Sequence, residues 1–442
     1  MPDTIDSSND ANASLVRPSD QDGRVLVNWL FPIYLLAVLA GIGVLSKFGS
    51  TMAGRPLNTP QSVFTAVDAA TLSGFRSTGS IVPALEDLVP RAQVVVILLN
   101  IAGALFTLTA GGISVSRILR LKFSPRQIAG AAGKWLALAA VIGLLFFRGT
   151  GEIAGIQILS GLSRGVAAFG NYGTSVGRYP LGLHDWRSWL LVLPLTVVGG
   201  MGITVLLELV NFRTHRRLSR HARTVIALVF GLYLIGTLTF VVLQLHGMAL
   251  TRVDHTHENY LHVLLAIGRN PDKMREIWAT SSAMAIVTRT AGISYKFGYA
   301  FPRAMEWLMM LYMVIGASSG GTGGGLKTTT VAAIFEGTRK LLLGGAPGRQ
   351  LGFAITWVGI YAGMIFFGLI ALLISQPQTN ADQLLMMTIS AVGNVGLTHD
   401  QLSPSIGGML ILSGLMLAGR VVPLMMLMWM ANSTDDAELA IG

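Results

Sequence analysis

Four short motifs along the chain each contain one glycine, and their backbone groups could do chemistry. Each motif follows a short, moderately apolar stretch, at residues 62–71, 153–169, 274–288 and 382–392. The motifs are Leu72, Ser73 and Gly74; Asn171, Tyr172 and Gly173; Thr290, Ala291 and Gly292; and Asn394, Val395 and Gly396. One glycine after an apolar stretch is ordinarily a helix C-cap. Four glycines at the same place in four similar segments favour a shared role.

Backbone carbonyls are the groups that such motifs would present. A short helix that enters a membrane and returns as an extended strand leaves carbonyls unpaired, which is tolerated only beside a watery cavity. Carbonyls around a narrow cavity can replace the hydration shell of a cation. Glycine permits the backbone angles that turn carbonyls inward, and the short helices would point their negative ends at the same place. The motifs therefore predict a cation pore.

A glycine-rich segment at residues 316–325 is the second unusual feature. Its residues are Gly316, Ala317, Ser318, Ser319, Gly320, Gly321, Thr322, Gly323, Gly324 and Gly325. It is not a P-loop, because Leu326 separates the last glycine from Lys327 and no strand precedes it. It interrupts an apolar helix, and irregular backbone at membrane depth should face a cavity. A purely structural kink is the alternative.

Composition indicates a membrane protein. Of 442 residues, 52% are hydrophobic and 12% charged, whereas soluble domains carry about 25% charged residues. The apolar runs are 25–48, 92–115, 128–147, 189–210, 225–245, 305–315, 351–374 and 409–430. Most are long enough to span a hydrocarbon layer of about 30 Å, but 305–315 is too short alone. There is no cysteine, no signal-peptide pattern in the polar leader, and no basic cluster that suggests nucleic acid.

Three short basic stretches, 117–126, 213–223 and 339–349, lack acids and indicate cytoplasmic loops. They follow every second apolar run, so both termini are expected in the cytoplasm. The chain then divides into a leader (1–24) and four repeats (25–126, 127–223, 224–349 and 350–442). We predict an all-α membrane protein with eight transmembrane helices and four re-entrant pore helices around a pseudo-fourfold pore.

Several segments resemble the Trk/Ktr/HKT superfamily of potassium transporters. They are 288–292, 316–330, 390–397 and 418–420. The short polar leader makes the chain most similar to the Ktr-type, KtrB-like membrane subunits. The resemblance implies one selectivity-filter glycine per repeat, namely Gly74, Gly173, Gly292 and Gly396. Glycine in the first filter is associated with potassium, although sodium stays possible. Asp68 in the first pore helix and the bulky Tyr172 and Phe75 depart from the family pattern.

The resemblance also implies a gate below the filter. In the family the segment at 316–325 is an intramembrane loop that obstructs ions, and the arginine at position 420 raises a barrier to cations. From the sequence alone, Arg420 lies in an apolar helix and could instead pair with a carboxylate or with helix-end carbonyls. Lys327 could add to the barrier or cap loop carbonyls.

Partners follow from the same resemblance. It implies a homodimer in the cell inner membrane, in contact with lipid, and a separate cytosolic regulatory subunit of the RCK/KTN type. Nucleotide is expected only on that subunit, and K⁺ is the transported ion. An alternative is a sodium/potassium secondary transporter with a midplane site. An enzyme is not expected, because no catalytic pair lies at membrane depth.

Overall fold

The computed structural model describes residues 18–75, 83–147, 154–176, 182–215, 217–256, 259–346, 348–400 and 404–439. These residues form fifteen α-helices, and their only β-structure is isolated bridges. In chain order the helices are α1 (Pro18–Phe48), α2 (Thr59–Thr71), α3 (Pro90–Ile118), α4 (Pro125–Phe146), α5 (Ala154–Gly170), α6 (Leu193–Met201), α7 (Ile203–His215), α8 (Arg220–Thr256), α9 (Tyr260–Arg269), α10 (Pro271–Thr290), α11 (Arg303–Val314), α12 (Thr328–Leu342), α13 (Arg349–Ser375), α14 (Ala381–Val392) and α15 (Ile406–Leu439).

Six of the described helices are long and apolar enough to cross a membrane: α1, α3, α4, α8, α13 and α15. A seventh span arises if α6 and α7, which are bent by 104° at a short break, count as one. Helices α11 and α12 are each too short to cross, as the sequence predicted for 305–315. The eighth predicted span would need both of them together with the loop between them.

The four short apolar stretches are helical, as α2, α5, α10 and α14. Each packs against the long helix before it and the helix after it in the chain. Helix α2 packs on α1 and α3, α5 on α4 and α6, α10 on α8 and α11, and α14 on α13 and α15. Four consecutive parts of the chain, which we call units, thus each contain a short helix packed between an earlier and a later helix.

A capping box fixes the start of α2. The Asn58 side chain accepts a hydrogen bond from the Gln61 N–H at 2.9 Å, and the Gln61 side chain accepts one from the Asn58 N–H at 3.0 Å. Two of the free N–H groups at the helix start are thereby satisfied. The first short helix thus has a defined entry point.

Glycines bring three of the short helices close to the helix that follows. A Cβ on Gly103, Gly199 or Gly419 would lie 2.9, 2.9 or 2.8 Å from the carbonyl carbon of Ala70, Phe169 or Val392, respectively. Each contacted carbonyl belongs to the last turn of α2, α5 or α14. Any side chain at these positions would push the two helices apart. Glycine therefore allows the end of each short helix to pack directly against the next helix.

The apolar run at 189–210, predicted as one span, is broken at Gly202. This residue has φ 94°, and a Cβ there would lie 2.6 Å from the Ser319 carbonyl oxygen. The N–H of Ile203, the first residue of α7, donates to the Gly320 carbonyl oxygen at 3.1 Å. The break thus lies against the glycine-rich segment.

Two further features differ from the sequence expectations. Helix α9 is a separate short helix ahead of α10. Helix α1 begins at Pro18, within the segment assigned to the polar leader, whereas residues 1–17 lie outside the described residues. Neither feature changes which helices pack against the four short helices.

Candidate functional site

The four motif glycines lie together although they are far apart in the chain. A Cβ on Gly74 would lie 2.6 Å from Gly173 Cα, and one on Gly173 would lie 2.8 Å from the Gly292 carbonyl oxygen. A Cβ on Gly292 would lie 3.2 Å from Gly396 Cα, and one on Gly396 would lie 2.6 Å from the Gly74 carbonyl carbon. These contacts close a circle, which we call the glycine ring.

The glycine ring has no room for side chains and is lined by backbone oxygens. The carbonyl oxygens of Gly74 and Gly292 lie 2.5 and 2.8 Å from the Cβ position of Gly173. The carbonyl oxygen of Val395 would likewise overlap a Cβ on Gly292, and that of Ser73 would overlap a Cβ on Gly396. Carbonyls in such a ring can coordinate a dehydrated cation. Three of the glycines adopt positive φ angles: 76° at Gly74, 54° at Gly292 and 90° at Gly396.

The same turn leads from the short helix into three of the four motifs. Leu72, Asn171 and Asn394 have left-handed φ angles of 60°, 57° and 48°. The next residue in each motif donates its N–H to the carbonyl five residues back: Ser73 to Asp68 at 3.1 Å, Tyr172 to Ala167 at 2.9 Å and Val395 to Ser390 at 2.8 Å. This bond is typical of a Schellman C-cap. Asparagine tolerates this conformation well, so the two asparagines were a usable sequence signal.

The third motif reaches the ring differently. Ala291 follows α10 with φ −124°, so no left-handed residue precedes the glycine. The N–H of Gly292 itself donates to the Val287 carbonyl at 3.1 Å. The third strand is therefore shorter than the others, and Thr290 is the last residue of α10.

Asp68 joins the first motif to the second. Its side chain is 4% exposed. One carboxylate oxygen accepts the Phe75 N–H at 2.9 Å, and the other accepts the Tyr172 hydroxyl at 3.0 Å. Asp68 thus bonds to both of the bulky residues that depart from the family pattern.

Asn394 joins the fourth motif to the first. Its side-chain amide donates to the Ser73 hydroxyl at 3.0 Å and to the Met416 carbonyl at 2.8 Å. The Ser73 hydroxyl in turn lies 2.9 Å from that of Thr71. The hydroxyl of Ser390 also accepts the Gly396 N–H at 2.9 Å. Side chains therefore support the backbone on both flanks of the first motif.

The segments that follow the third and fourth motifs also meet. The N–H of Gly298 donates to the Thr398 carbonyl at 3.1 Å, and His399 contacts the buried Glu306 at 2.5 Å. Lys296 forms an ion pair with Glu276 at 3.0 Å. Hydrogen bonding to that ammonium lowers the pKa of Glu276, so this acid is charged and already paired with a cation.

The glycine-rich loop, residues 316–325, separates α11 from α12 and is buried along its whole length. Its ends are paired: the Gly316 N–H donates to the Leu326 carbonyl at 2.9 Å, and the Ala317 N–H donates to the Gly324 carbonyl at 3.1 Å. The loop is therefore an ordered backbone hairpin at the break between two helices.

The loop contacts elements of the other three units. The Ser318 N–H donates to the Gly200 carbonyl of α6 at 3.0 Å. A Cβ on Gly111 of α3 would lie 2.8 Å from Gly320 Cα, and one on Gly324 would lie 2.9 Å from Asn394 Cβ. Contacts on all sides place the loop across the centre of the four units, next to the motifs.

Arg420 and Thr322 tie the loop to the first two motifs. The guanidinium is 2% exposed and donates to the Thr71 carbonyl, through Nε at 2.7 Å and through Nη2, and to the Thr322 carbonyl through Nη1 at 2.7 Å. The Thr322 hydroxyl donates to the Phe169 carbonyl at 3.0 Å and accepts from the Asn171 amide at 2.6 Å. Of the partners left open for Arg420, the carbonyl of a helix end is the one observed.

The Lys327 ammonium lies within the loop. It is 6% exposed, and its Nζ donates to the Gly323 carbonyl at 2.8 Å. Capping of a loop carbonyl, one of the two roles considered for this residue, is therefore present. Its Nζ therefore lies at the same buried level as the loop backbone.

Arg289 is a buried cation to which sequence reasoning gave no role. It lies in the last turn of α10, is 5% exposed, and points Nη2 at the Gly316 carbonyl at 3.5 Å. The sequence signal for Arg289 was a charged residue at the end of a predicted short intramembrane helix. The argument applied to Arg420, that a charge at membrane depth is costly and has a polar partner, holds for it as well. The loop is thus approached by cationic side chains from both α10 and α15.

No protein-family model matches the chain. The potassium/sodium uptake protein NtpJ of Enterococcus hirae is 23% identical over 438 residues, covering 89% of this chain and 91% of the relative. The Ktr system potassium uptake protein B of Bacillus subtilis is 26% identical over 426 residues, covering 88% of this chain and 89% of the relative.

One solved structure is similar over nearly the whole chain. The potassium transporter TrkH from Vibrio parahaemolyticus superposes with a TM-score of 0.65, covering 95% of this chain and 85% of that one. The sequence identity is 15%, so this likeness concerns the fold.

Proposed function

We infer that this chain is a KtrB-like member of the Trk/Ktr potassium transporter superfamily, and we propose that it forms the pore for potassium uptake. Its relatives confirm the resemblance seen in the motifs, and they are ion uptake proteins rather than enzymes. Six apolar helices and the likeness to a membrane transporter identify a multi-pass membrane protein.

The closed glycine ring is the observation that supports a pore most strongly. Four strands from four consecutive units meet there with backbone oxygens between them. The helices α2, α5, α10 and α14 all end within a few residues of the ring. Their C-terminal dipoles would add negative potential at the same place. A cation that gives up its hydration shell would find both carbonyl ligands and a favourable field.

Potassium is the ion that we propose, with the ring glycines and their two preceding residues as the selectivity filter. Glycine at position 74 leaves the carbonyls free of a side chain, and one relative is named a potassium uptake protein. Another relative is named a potassium/sodium uptake protein. Sodium is therefore the competitor to test.

We propose that the glycine-rich loop is the gate. It is buried next to the motifs and contacts all of the other units, so an ion leaving the ring would meet it. The Arg420 guanidinium contacts the loop and would repel a cation, and the Lys327 amine would add to this repulsion when it is protonated. Movement of the loop would have to break the Arg420 and Thr322 contacts.

A secondary transporter is the second candidate, favoured by the two broken pairs α6–α7 and α11–α12, since broken helices are typical of midplane sites. Inverted repeats would accompany that mechanism. The same short-helix contact at Gly103, Gly199 and Gly419 instead favours repeats in one direction. The pore is therefore the function that we propose.

The remaining architecture and partners belong to the same proposal. The repeats would span 25–126, 127–223, 224–349 and 350–442, with eight transmembrane helices and both termini in the cytoplasm. The protein would be a homodimer in the cell inner membrane. A cytosolic RCK/KTN-type subunit would carry the regulatory nucleotide.

Potassium and sodium flux into proteoliposomes tests the function. The wild type should carry potassium in preference to sodium. Gly74→Ser should reduce that preference, because its side chain would overlap the Gly173 backbone. Gly43→Ser is the matched control, since nothing lies within 4 Å of its Cβ position. An unchanged ion preference in Gly74→Ser would show that the ring does not determine selectivity.

A further inference from the structure

A groove of about 1020 Å³ lies beside the long helix α4, away from the glycine ring. Its walls come from α4, α7 and the connections α3–α4 and α7–α8. Both connections belong to the short basic stretches that the sequence places at the cytoplasmic side. The groove would therefore open at the inner membrane surface.

Four cationic side chains line this groove: Lys122, Arg126, Lys134 and Arg217. All four are exposed, and within the described part of the chain none forms an ion pair or side-chain hydrogen bond. The single acid in the lining, Glu208, accepts bonds from the Ser219 N–H and hydroxyl, both at 2.8 Å. The groove thus has a surplus of positive charge that no side chain among the described residues neutralises.

The lining of the groove also includes apolar side chains, which we call its apolar wall. Leu138 on α4 and Val210 on α7 are 47% and 61% exposed, and Trp135 and Leu207 lie beside them. Helix α4 is one of the apolar spans, so this wall continues into the membrane-facing surface. A soluble anion would use only the cations, whereas an amphiphile would use both walls.

We propose that the groove binds an anionic phospholipid. Its phosphate would lie among Lys122, Arg126, Lys134 and Arg217, and an acyl chain would cover Leu138 and Val210. An acidic protein segment is disfavoured because it would leave the apolar wall facing lipid. A membrane lipid is the ligand that fits, because its phosphate matches the cationic side chains and its acyl chain matches the apolar ones.

Two contacts connect the groove to the glycine-rich loop. Helix α7 carries Leu207 and Glu208, and its first residue, Ile203, donates its N–H to the Gly320 carbonyl. Trp135 stacks on Phe169, with ring centroids 6.4 Å apart, and the Phe169 carbonyl accepts the Thr322 hydroxyl. If the loop is the gate, which rests on the proposed function, a bound lipid that holds α7 in place would shift the balance between the closed and the open loop.

Lipid retention by the purified protein tests the site without any transport measurement. Protein would be prepared with phosphatidylglycerol or phosphatidylcholine, and bound lipids would be counted by native mass spectrometry. The double variant R126Q/K134Q should bind phosphatidylglycerol about thirtyfold more weakly than wild type. The matched control R223Q/R339Q removes two exposed cytoplasmic-side charges outside the groove and should keep wild-type binding.

Three results would overturn the proposal. One is equal loss of phosphatidylglycerol in both double variants, which indicates diffuse surface attraction. Another is that the wild-type protein retains phosphatidylcholine as strongly as it retains phosphatidylglycerol. The third is displacement of the lipid by millimolar inorganic phosphate, which would make the groove a site for soluble anions. Because binding is read directly, a failed lipid site and a failed pore assignment give different results.

Discussion

The Tyr172 hydroxyl donates a hydrogen bond to the Asp68 carboxylate at 3.0 Å, which joins the second unit to the first directly behind the glycine ring. Tyr172 immediately precedes Gly173, and the other oxygen of Asp68 holds the N–H of Phe75, which immediately follows Gly74. One buried carboxylate thus fixes the relative position of two neighbouring ring strands.

Removing the tyrosine hydroxyl should therefore loosen the ring. We expect Tyr172→Phe to lower the potassium-over-sodium preference about fivefold, because a buried hydrogen bond contributes about 1 kcal/mol. The measurement is the ratio of potassium to sodium flux in proteoliposomes.

Tyr34→Phe is the control, because the Tyr34 hydroxyl is also buried in the first unit and donates to the Ala70 carbonyl at 3.1 Å. Its loss should affect stability but not the flux ratio. If both variants keep the wild-type ratio, the Asp68–Tyr172 bond does not position the ring.

The sequence predicted the short helices and the glycine motifs because both depend on local patterns. Apolar stretches and recurring glycines are readable at residue level, and α2, α5, α10 and α14 match the predicted stretches closely. The helix break at Gly202 was missed because its cause is not local. The Ser319 carbonyl, more than a hundred residues away in the chain, occupies the space of a side chain there.

Asp68 could not be interpreted from the sequence for the same reason. A lone carboxylate in an apolar stretch has no meaning until its partners are known. The partners Phe75 and Tyr172 come from two different strands and meet only in the folded chain. The use of Asn171 and Asn394 at left-handed positions, in contrast, was visible in the sequence as a repeated residue type.

Arg420→Ala should accelerate potassium flux while it lowers stability. It removes a buried positive charge from the layer of the loop, and it leaves the carbonyls of Thr71 and Thr322 without this donor. A buried group left unsatisfied costs about 1–3 kcal/mol, so the melting temperature should fall. Flux would be normalised to folded protein, measured by size-exclusion chromatography.

Arg164→Ala separates these two effects. Arg164 is also buried, at 5% exposure, and donates to the Phe147 carbonyl at 2.7 Å. The Arg164→Ala protein should be less stable than wild type, with no gain in potassium flux per folded molecule. Equal flux in Arg420→Ala and wild type would leave Arg420 with a structural role and no part in a barrier.

Thr322→Val tests how the loop is held closed. The change keeps the shape of the side chain but removes its hydrogen bonds with Phe169 and Asn171. Each bond contributes about 1 kcal/mol, so the balance between closed and open loop should shift up to about thirtyfold. We expect faster potassium flux in proteoliposomes that contain no cytosolic protein.

Thr356→Val is the matched control, because its hydroxyl donates to the Gly352 carbonyl at 3.0 Å on the exposed surface of α13. It should transport like wild type. A Thr322→Val protein that folds normally and stays as slow as this control would show that these two bonds do not hold the loop.

Deleting residues 317–322 should remove the gate altogether. The deletion takes out Thr322, the Ser318 contact with Gly200 and the Gly320 contact with Ile203, and so it detaches the loop from α6 and α7. The four loop residues that remain, at positions 316 and 323–325, are all glycine, and because glycine loses the most entropy when it is ordered, the open arrangement is favoured. Flux should rise above that of Thr322→Val and become independent of a cytosolic regulator, as measured with and without cytosolic extract. A folded deletion protein that is still slow and still responds to the extract would place the gate elsewhere in the pore.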